Sequence, residues 1–114
     1  MPAIQSKLPV PIFIGASVRS PIGKFGGSLT HLSARELGTL TLKECVKRAG
    51  GSPGDFKDAT YVFLGHARQA GAGPNPARQA SMGAGLPETV PAFTINQACA
   101  SGMTAIFSGI EKIA

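Results

Sequence analysis

Short runs of branched and aromatic residues alternate along this chain with segments that open on helix-capping residues. Three runs read as strands: Pro9 to Gly15, with Ile12-Phe13-Ile14 at its centre; Ala59 to His66, ATYVFLGH; and Ala92 to Asn96, AFTIN. Each is followed by a turn rich in small residues and then by a helical pattern. Strands separated by helices cannot pair as hairpins, so the alternation implies an α/β chain with a parallel or mostly parallel sheet. The unbroken apolar run at Ile12 to Ile14 is typical of a strand covered on both faces.

The helix starts carry their own signals. Ser33-Ala34-Arg35-Glu36 fits a capping box, in which the serine accepts from the amide three residues on and the glutamate reaches back. Leu37, Thr41, Cys45 and Ala49 then fall at spacings of four and make one stripe, which casts Cys45 as a small core residue. Gly50-Gly51 ends that helix. Ser52-Pro53 suits a short helical turn. Asn75 caps a second helix, with Pro76 in its first turn and Gly85 as its stop. In the third, Met103, Ile106, Phe107, Ile110 and Ile113 mark a broad apolar face. The segments between, Ser17 to Leu32 and Ala67 to Pro74, are too rich in Gly and Pro for helix.

The length, 114 residues, is that of one ordinary domain. Charged residues make up 15% and apolar ones 43%, which excludes a disordered tail. Fifteen Gly and nine Pro without a period exclude collagen and a simple helical bundle. No apolar run approaches the ~18 residues that span a bilayer, so no membrane is expected. Met1 to Lys7 lacks the pattern of a signal peptide, and a cytoplasmic location is expected.

The formal charge is +5, a field that suits phosphate-bearing ligands. The basic residues are scattered, only Lys47 and Arg48 are adjacent, and aromatic residues do not interleave with them. With no Trp and one Tyr the chain lacks a stacking platform, so no nucleic-acid partner is expected. Cys45 and Cys99 lie far apart with no CxxC, which is neither a zinc site nor a disulfide framework; two free thiols are expected.

Chemistry concentrates at Ile95-Asn96-Gln97-Ala98-Cys99-Ala100-Ser101-Gly102-Met103. A cysteine stands at a strand-to-helix turn among small residues. First-turn helix amides lack intrahelical partners and point outward. The positive end of a helix favours an anion. A backbone N–H beside a nucleophile can hold the oxyanion formed when a carbonyl is attacked. Ala98, Ala100 and Gly102 leave room for a substrate. The residues alone leave two readings of Cys99: a nucleophile, or a structural cysteine buried between strand and helix.

The segment NQACASGM resembles the acyl-accepting cysteine motif of the thiolase family, the acetyl-CoA acetyltransferases and 3-ketoacyl-CoA thiolases. Other segments match in the same order. Val18-Arg19-Ser20-Pro21-Ile22-Gly23 is similar to the loop after the first strand of thiolases. Gln69-Ala70-Gly71-Ala72-Gly73 and Asn75-Pro76-Ala77-Arg78-Gln79 resemble their glycine loop and the helix start that follows it. Gly85-Leu86-Pro87 and Val90-Pro91-Ala92 fall where the family places them. The resemblance runs from about Ile12 to Ala114. The family often carries Val where Ala98 stands.

The resemblance implies that residues 1–114 are the N-terminal portion of a layered, mostly parallel α/β fold, incomplete in this chain. A C-terminal half and a CoA-binding loop region would lie elsewhere. It implies that Cys99 forms an acyl-enzyme thioester and that its amide supplies part of an oxyanion hole. It also implies coenzyme A thioesters as substrates, no tightly bound cofactor, no metal, and a homo-oligomer in the full-length enzyme. The family's Gly-His-Pro, Cys-x-Gly-Gly-Gly and Asn-Glu-Ala-Phe motifs do not occur in this sequence. The 114 residues alone are therefore expected to be inactive, with sheet edges and an apolar face exposed.

Two alternatives stand beside this reading: a non-catalytic thiolase-like partner or assembly subunit, and a ketoacyl synthase-like condensing enzyme. The RSPIG and NPARQ segments favour thiolase. Arg19 and Lys24 lack the spacing of a nucleotide-binding loop and read as scaffold. Arg78 reads as a structural ion pair or hydrogen bond, His31 as a solvated loop residue, and His66 as a strand-end residue with a hydrogen-bond partner. Asn96 is expected to fix the turn before Cys99, and Ser101 to stabilise the helix start.

Overall fold

A computed structural model of the chain describes residues 9–56 and 58–114; the expectation for Met1 to Lys7 lies outside the described residues. Helix α1 spans Ala34–Arg48. Its capping box forms as the sequence implies: the Ser33 amide donates to Glu36 Oε2 at 2.7 Å, and the Glu36 amide donates to Ser33 Oγ at 3.3 Å. A single 3₁₀ turn, Pro53–Phe56, precedes strand β1, Val62–Gly65. Helix α2, Pro76–Ala84, begins at Asn75 and ends at Gly85, whose φ of 86° is the left-handed conformation glycine adopts without steric cost. Strand β2 is Ala92–Ile95, and helix α3 is Ser101–Ile113.

The two strands pair in parallel, with Val62 opposite Ala92 and Gly65 opposite Ile95. Alternation along β1 sorts the helices into layers. Val62 and Leu64 face α1 and α2, where Val62, Ala84, Leu86 and Val90 form the buried core. Tyr61, Phe63 and Phe93 cluster on the opposite face, where Phe63 and Phe93 stack with centroids 5.4 Å apart and Tyr61 lies tilted against both. On that face the Lys112 ammonium of α3 sits 5.4 Å above the Tyr61 ring. The chain is thus a layered α/β fragment: a helix pair, a small parallel sheet, and α3.

Small residues let α1 and α2 approach closely. A Cβ on Gly38 would lie 3.2 Å from the Ala80 Cβ, and one on Gly83 would lie 2.7 Å from Thr39 Oγ1. The expected stripe is half-buried at Leu37, Thr41 and Cys45, and the fully buried position lies beside it. Val46 is that buried residue, Cys45 is half-buried beside Leu42 and Leu64, and Ala49 is exposed.

The expected first strand does not form. Residues 9–23 adopt no regular element, and Phe13 and Ile14 are 85% and 84% exposed. A strand needs a neighbour to take its N–H and C=O groups. Among the described residues, β1 and β2 pair only with each other, and no ladder runs beside this segment. The exposed apolar face expected on α3 is present. Ser101 and Ala105 are buried beneath the helix, while Met103, Ile106, Phe107 and Ile113 are each more than half exposed. The Cα radius of gyration, 15.4 Å, accordingly exceeds the ~13 Å of a compact chain this long.

Candidate active site

The turn from β2 to α3 is built by a close backbone approach. A Cβ on Gly65 would lie 2.4 Å from the Ser101 carbonyl carbon and 2.5 Å from the Gly102 nitrogen. Only glycine lets the start of α3 rest directly on the end of β1. The sequence holds a signal for this, a glycine inside a strand pattern, which sequence reading left unused. Beyond Gly65 the ladder continues one step, as the His66 amide donates to the Ile95 carbonyl at 2.9 Å.

Ala98 has a φ of 46°, the sole positive φ at a non-glycine residue among those described. Such a backbone costs an L-residue about 1–2 kcal/mol. Two side chains hold it. Asn96 Oδ1 accepts the Ala98 amide at 3.0 Å, and Asn96 Nδ2 donates to the Ala67 carbonyl at 3.1 Å. Ser101 Oγ accepts the Gln97 amide at 2.9 Å and donates to the Ala98 carbonyl at 2.7 Å. The Ser101 amide donates to that same carbonyl at 3.2 Å. Ser101 is only 4% exposed, so these bonds run with little competition from water. Gln97 and Thr104, which sequence reading passed over, complete the turn: the Thr104 hydroxyl lies against Gln97 Oε1 and the Ala100 carbonyl.

Cys99 sits at the crest of this turn and is exposed. Among the described residues Cys99 is not buried between strand and helix. No bond of the clamp just described engages the Cys99 thiol or its N–H. Helix α3 begins on Ala100, with φ −90° and ψ 0°, and no side chain caps it. The Ser101 amide is taken by the Ala98 carbonyl and the Thr104 amide by the Ala100 carbonyl, while the Gly102 and Met103 amides of the first turn have no backbone partner. A soft nucleophile, an uncapped helix start and small flanking residues are the elements needed to attack a carbonyl and hold the oxyanion that results.

Other residues singled out in the sequence are placed elsewhere. Arg78 donates to the Val90 and Glu88 carbonyls, both at 2.9 Å, and so pins the turn before β2. His31, Arg19 and Lys24 are exposed in the N-terminal loop. His66 is half-buried and lines a cleft of about 450 Å³ together with Arg35, Arg68 and Gln79. Both cysteines are free thiols. Glu36, at the α1 cap, has its pKa lowered, first by the Ser33 hydroxyl and then by the Ser33 amide. Among the described residues no cluster of His, Cys, Asp or Glu could hold a metal, and no helix is long and apolar enough to cross a membrane.

Comparison with known proteins gives one family. The family model of the thiolase N-terminal domain matches residues 12–114. A cytosolic acetyl-CoA acetyltransferase of Gibberella zeae is 46% identical over 103 residues, which cover 90% of this chain and 25% of that protein. A mitochondrial acetyl-CoA acetyltransferase of Xenopus tropicalis is 44% identical over 102 residues, 90% of this chain and 24% of that one. The crystal structure of an Ascaris suum thiolase in complex with coenzyme A superposes with a TM-score of 0.83 at 37% identity, over 89% of this chain and 26% of that one. The chain spans about a quarter of the length of the relatives it matches.

Proposed function

The chain belongs to the thiolase family through its N-terminal domain, and on that premise we propose that Cys99 is the nucleophile of an acyl-CoA acyltransferase. The observation that carries this reading is the exposed thiol at an uncapped helix start, on a turn whose backbone is strained and clamped.

The Cys99 thiolate attacks the thioester carbonyl of an acyl-CoA and a new C–S bond forms. The carbonyl oxygen takes the negative charge, and the Cys99 amide donates to it. Collapse of this intermediate breaks the bond to coenzyme A, which leaves as the thiolate and takes up a proton. The acyl group now sits on Cys99 as a thioester. In the second half the acyl group passes either to the α-carbanion of another acetyl-CoA or to free coenzyme A. This splits a difficult exchange into two easier ones.

The reading assigns the base and the remaining coenzyme A contacts to residues outside these 114. Neither His31 nor His66 stands in a Gly-His-Pro context, and the relatives are about four times longer. It treats the described residues as part of the first α/β half of a longer enzyme that forms homo-oligomers. The relatives include a cytosolic and a mitochondrial enzyme at similar identity, so the cytoplasmic location remains the expectation of the sequence alone.

The test, made on the longer enzyme to which this reading assigns the base, is a single-turnover reaction with acetyl-CoA, quenched in acid and mapped by peptide mass. One acetyl group is expected on Cys99, none on Cys45, and none anywhere in Cys99→Ala. An acetyl group that fails to form on Cys99, or that still forms in folded Cys99→Ala at the wild-type rate, overturns the reading.

A further inference from the structure

We infer that Ser101 and Asn96 are positioning residues that aim the Cys99 thiol and the Cys99 amide at one carbonyl; the inference rests on the nucleophile reading above. The two groups must act together. The sulfur attacks the carbonyl carbon while the amide meets the oxygen of that same carbonyl. Both directions are fixed by the peptide that joins Ala98 to Cys99. That peptide follows from the backbone of Ala98, whose φ of 46° an unrestrained alanine would leave for the ordinary right-handed or extended regions.

The restraint comes from both sides of the turn. Ser101 holds the C-terminal side: its hydroxyl and its amide both donate to the Ala98 carbonyl, at 2.7 and 3.2 Å. With that carbonyl pinned, the Ala98–Cys99 peptide cannot flip, and the Cys99 N–H keeps its direction. Asn96 holds the N-terminal side by accepting the Ala98 amide at 3.0 Å. Its other end donates to Ala67, so the turn is tied to the loop that follows β1. Ser101 is itself fixed, because its hydroxyl also accepts the Gln97 amide and its backbone rests on Gly65. Neither side chain needs to touch the substrate. Each acts through the backbone of the residue before the nucleophile.

A positioning role separates two reactions of the same thiol. Acetyl transfer from acetyl-CoA needs both the sulfur and the amide in place; alkylation by iodoacetamide passes through no oxyanion and needs only the exposed sulfur. In Ser101→Ala of the same longer enzyme, single-turnover acetylation of Cys99 is expected to fall by about tenfold to a hundredfold, the scale of small misplacements at a reacting centre. Alkylation of Cys99 should change little, with an unaltered pH profile. Asn96→Ala should fall in the same direction. Asn96→Asp keeps the acceptor for the Ala98 amide but loses the donor to the Ala67 carbonyl, and should fall between wild type and Asn96→Ala.

Folded Ser101→Ala and Asn96→Ala proteins that acetylate like wild type overturn the inference and leave the nucleophile reading standing. So does a fall in acetylation matched by an equal fall in alkylation, which is the mark of lost structure rather than lost aim. Should Ser101→Ala not fold, the exposed Asn96 and its Ala and Asp variants decide the matter. A wild-type protein that takes no acetyl group on Cys99 overturns the nucleophile reading, and this inference with it.

Discussion

Helices α2 and α3 each follow a turn of small residues at the end of a strand-and-loop segment, yet their N-termini are built in opposite ways. At α2 every first-turn donor is occupied. Pro76 has no N–H, the Ala77 amide donates to Thr94 Oγ1 at 2.9 Å, the Arg78 amide to Asn75 Oδ1 at 3.1 Å, and the Gln79 amide to the Asn75 carbonyl at 3.1 Å. Asn75 Nδ2 also reaches the Ala92 carbonyl at 3.0 Å, locking the cap to β2. At α3 no side chain caps the helix, and the polar side chains nearby, Asn96 and Ser101, instead bind the backbone ahead of Cys99. A helix start meant to hold the fold satisfies its own amides. At α3 the Ser101 and Thr104 amides are paired, the Gly102 and Met103 amides are not, and the side chains are used on the turn ahead of Cys99.

The largest effect that bears on this contrast is expected at the contact beneath α3. In Gly65→Ala the new Cβ would lie 2.4 Å from backbone of Ser101, so the helix start itself must move. A loss of up to about 3 kcal/mol is expected in urea unfolding, with slower acetylation of Cys99. A stable Gly65→Ala protein with wild-type acetylation would show that α3 does not depend on this seat.

Asn75→Ala should cost about 1–2 kcal/mol, as the loss of a helix cap does. Alkylation of Cys99 should be unchanged, because the cap serves α2 and β2 alone. A parallel drop in stability and Cys99 reactivity would erase the distinction between the two helix starts.

The α1 cap offers a pH-dependent version of the structural type. Glu36 is lowered below its ordinary 4.5 by the Ser33 hydroxyl and amide, so it is ionised more readily folded than unfolded. Its contribution is therefore complete above about pH 4.5 and lost as pH falls through the lowered folded value. Glu36→Gln should flatten the acid limb of helical circular dichroism while leaving the neutral plateau close to wild type. Asp55 behaves in the same sense, held down by the Ser52 amide and then its hydroxyl. An acid limb unchanged in Glu36→Gln would mean that the carboxylate at this cap is not coupled to folding.

Much of this was legible along the chain. Ser33 with Glu36, Asn75 with Pro76, and Gly85 are local signals that act over three or four residues, so their outcome does not wait on the rest of the fold. The turn before α3 was legible in part. Asn96 was expected to fix it, and does; Ser101 was expected only to stabilise the helix start, but its hydroxyl also binds Gln97 and Ala98 of the turn. The Ala98 backbone, the seat at Gly65 and the Gln97–Thr104 contact were not visible, because each depends on where a second segment lies. The strand expected at Pro9 to Gly15 shows the same limit from the other side. Ile12-Phe13-Ile14 has the composition of a buried strand, but composition supplies no ladder partner.

The sequence by itself determined the alternation of elements, the ends of the helices and the placing of a cysteine between a strand and a helix. These rest on dihedral preferences and on hydrogen bonds between near neighbours. Tertiary structure alone decided which residue of α1 is fully buried, which side of the sheet carries α3, and that Cys99 is exposed rather than buried. Those outcomes depend on how segments distant in the chain meet, as Gly38 meets Ala80 and Gly65 meets Ser101, and such contacts are a property of pairs of segments.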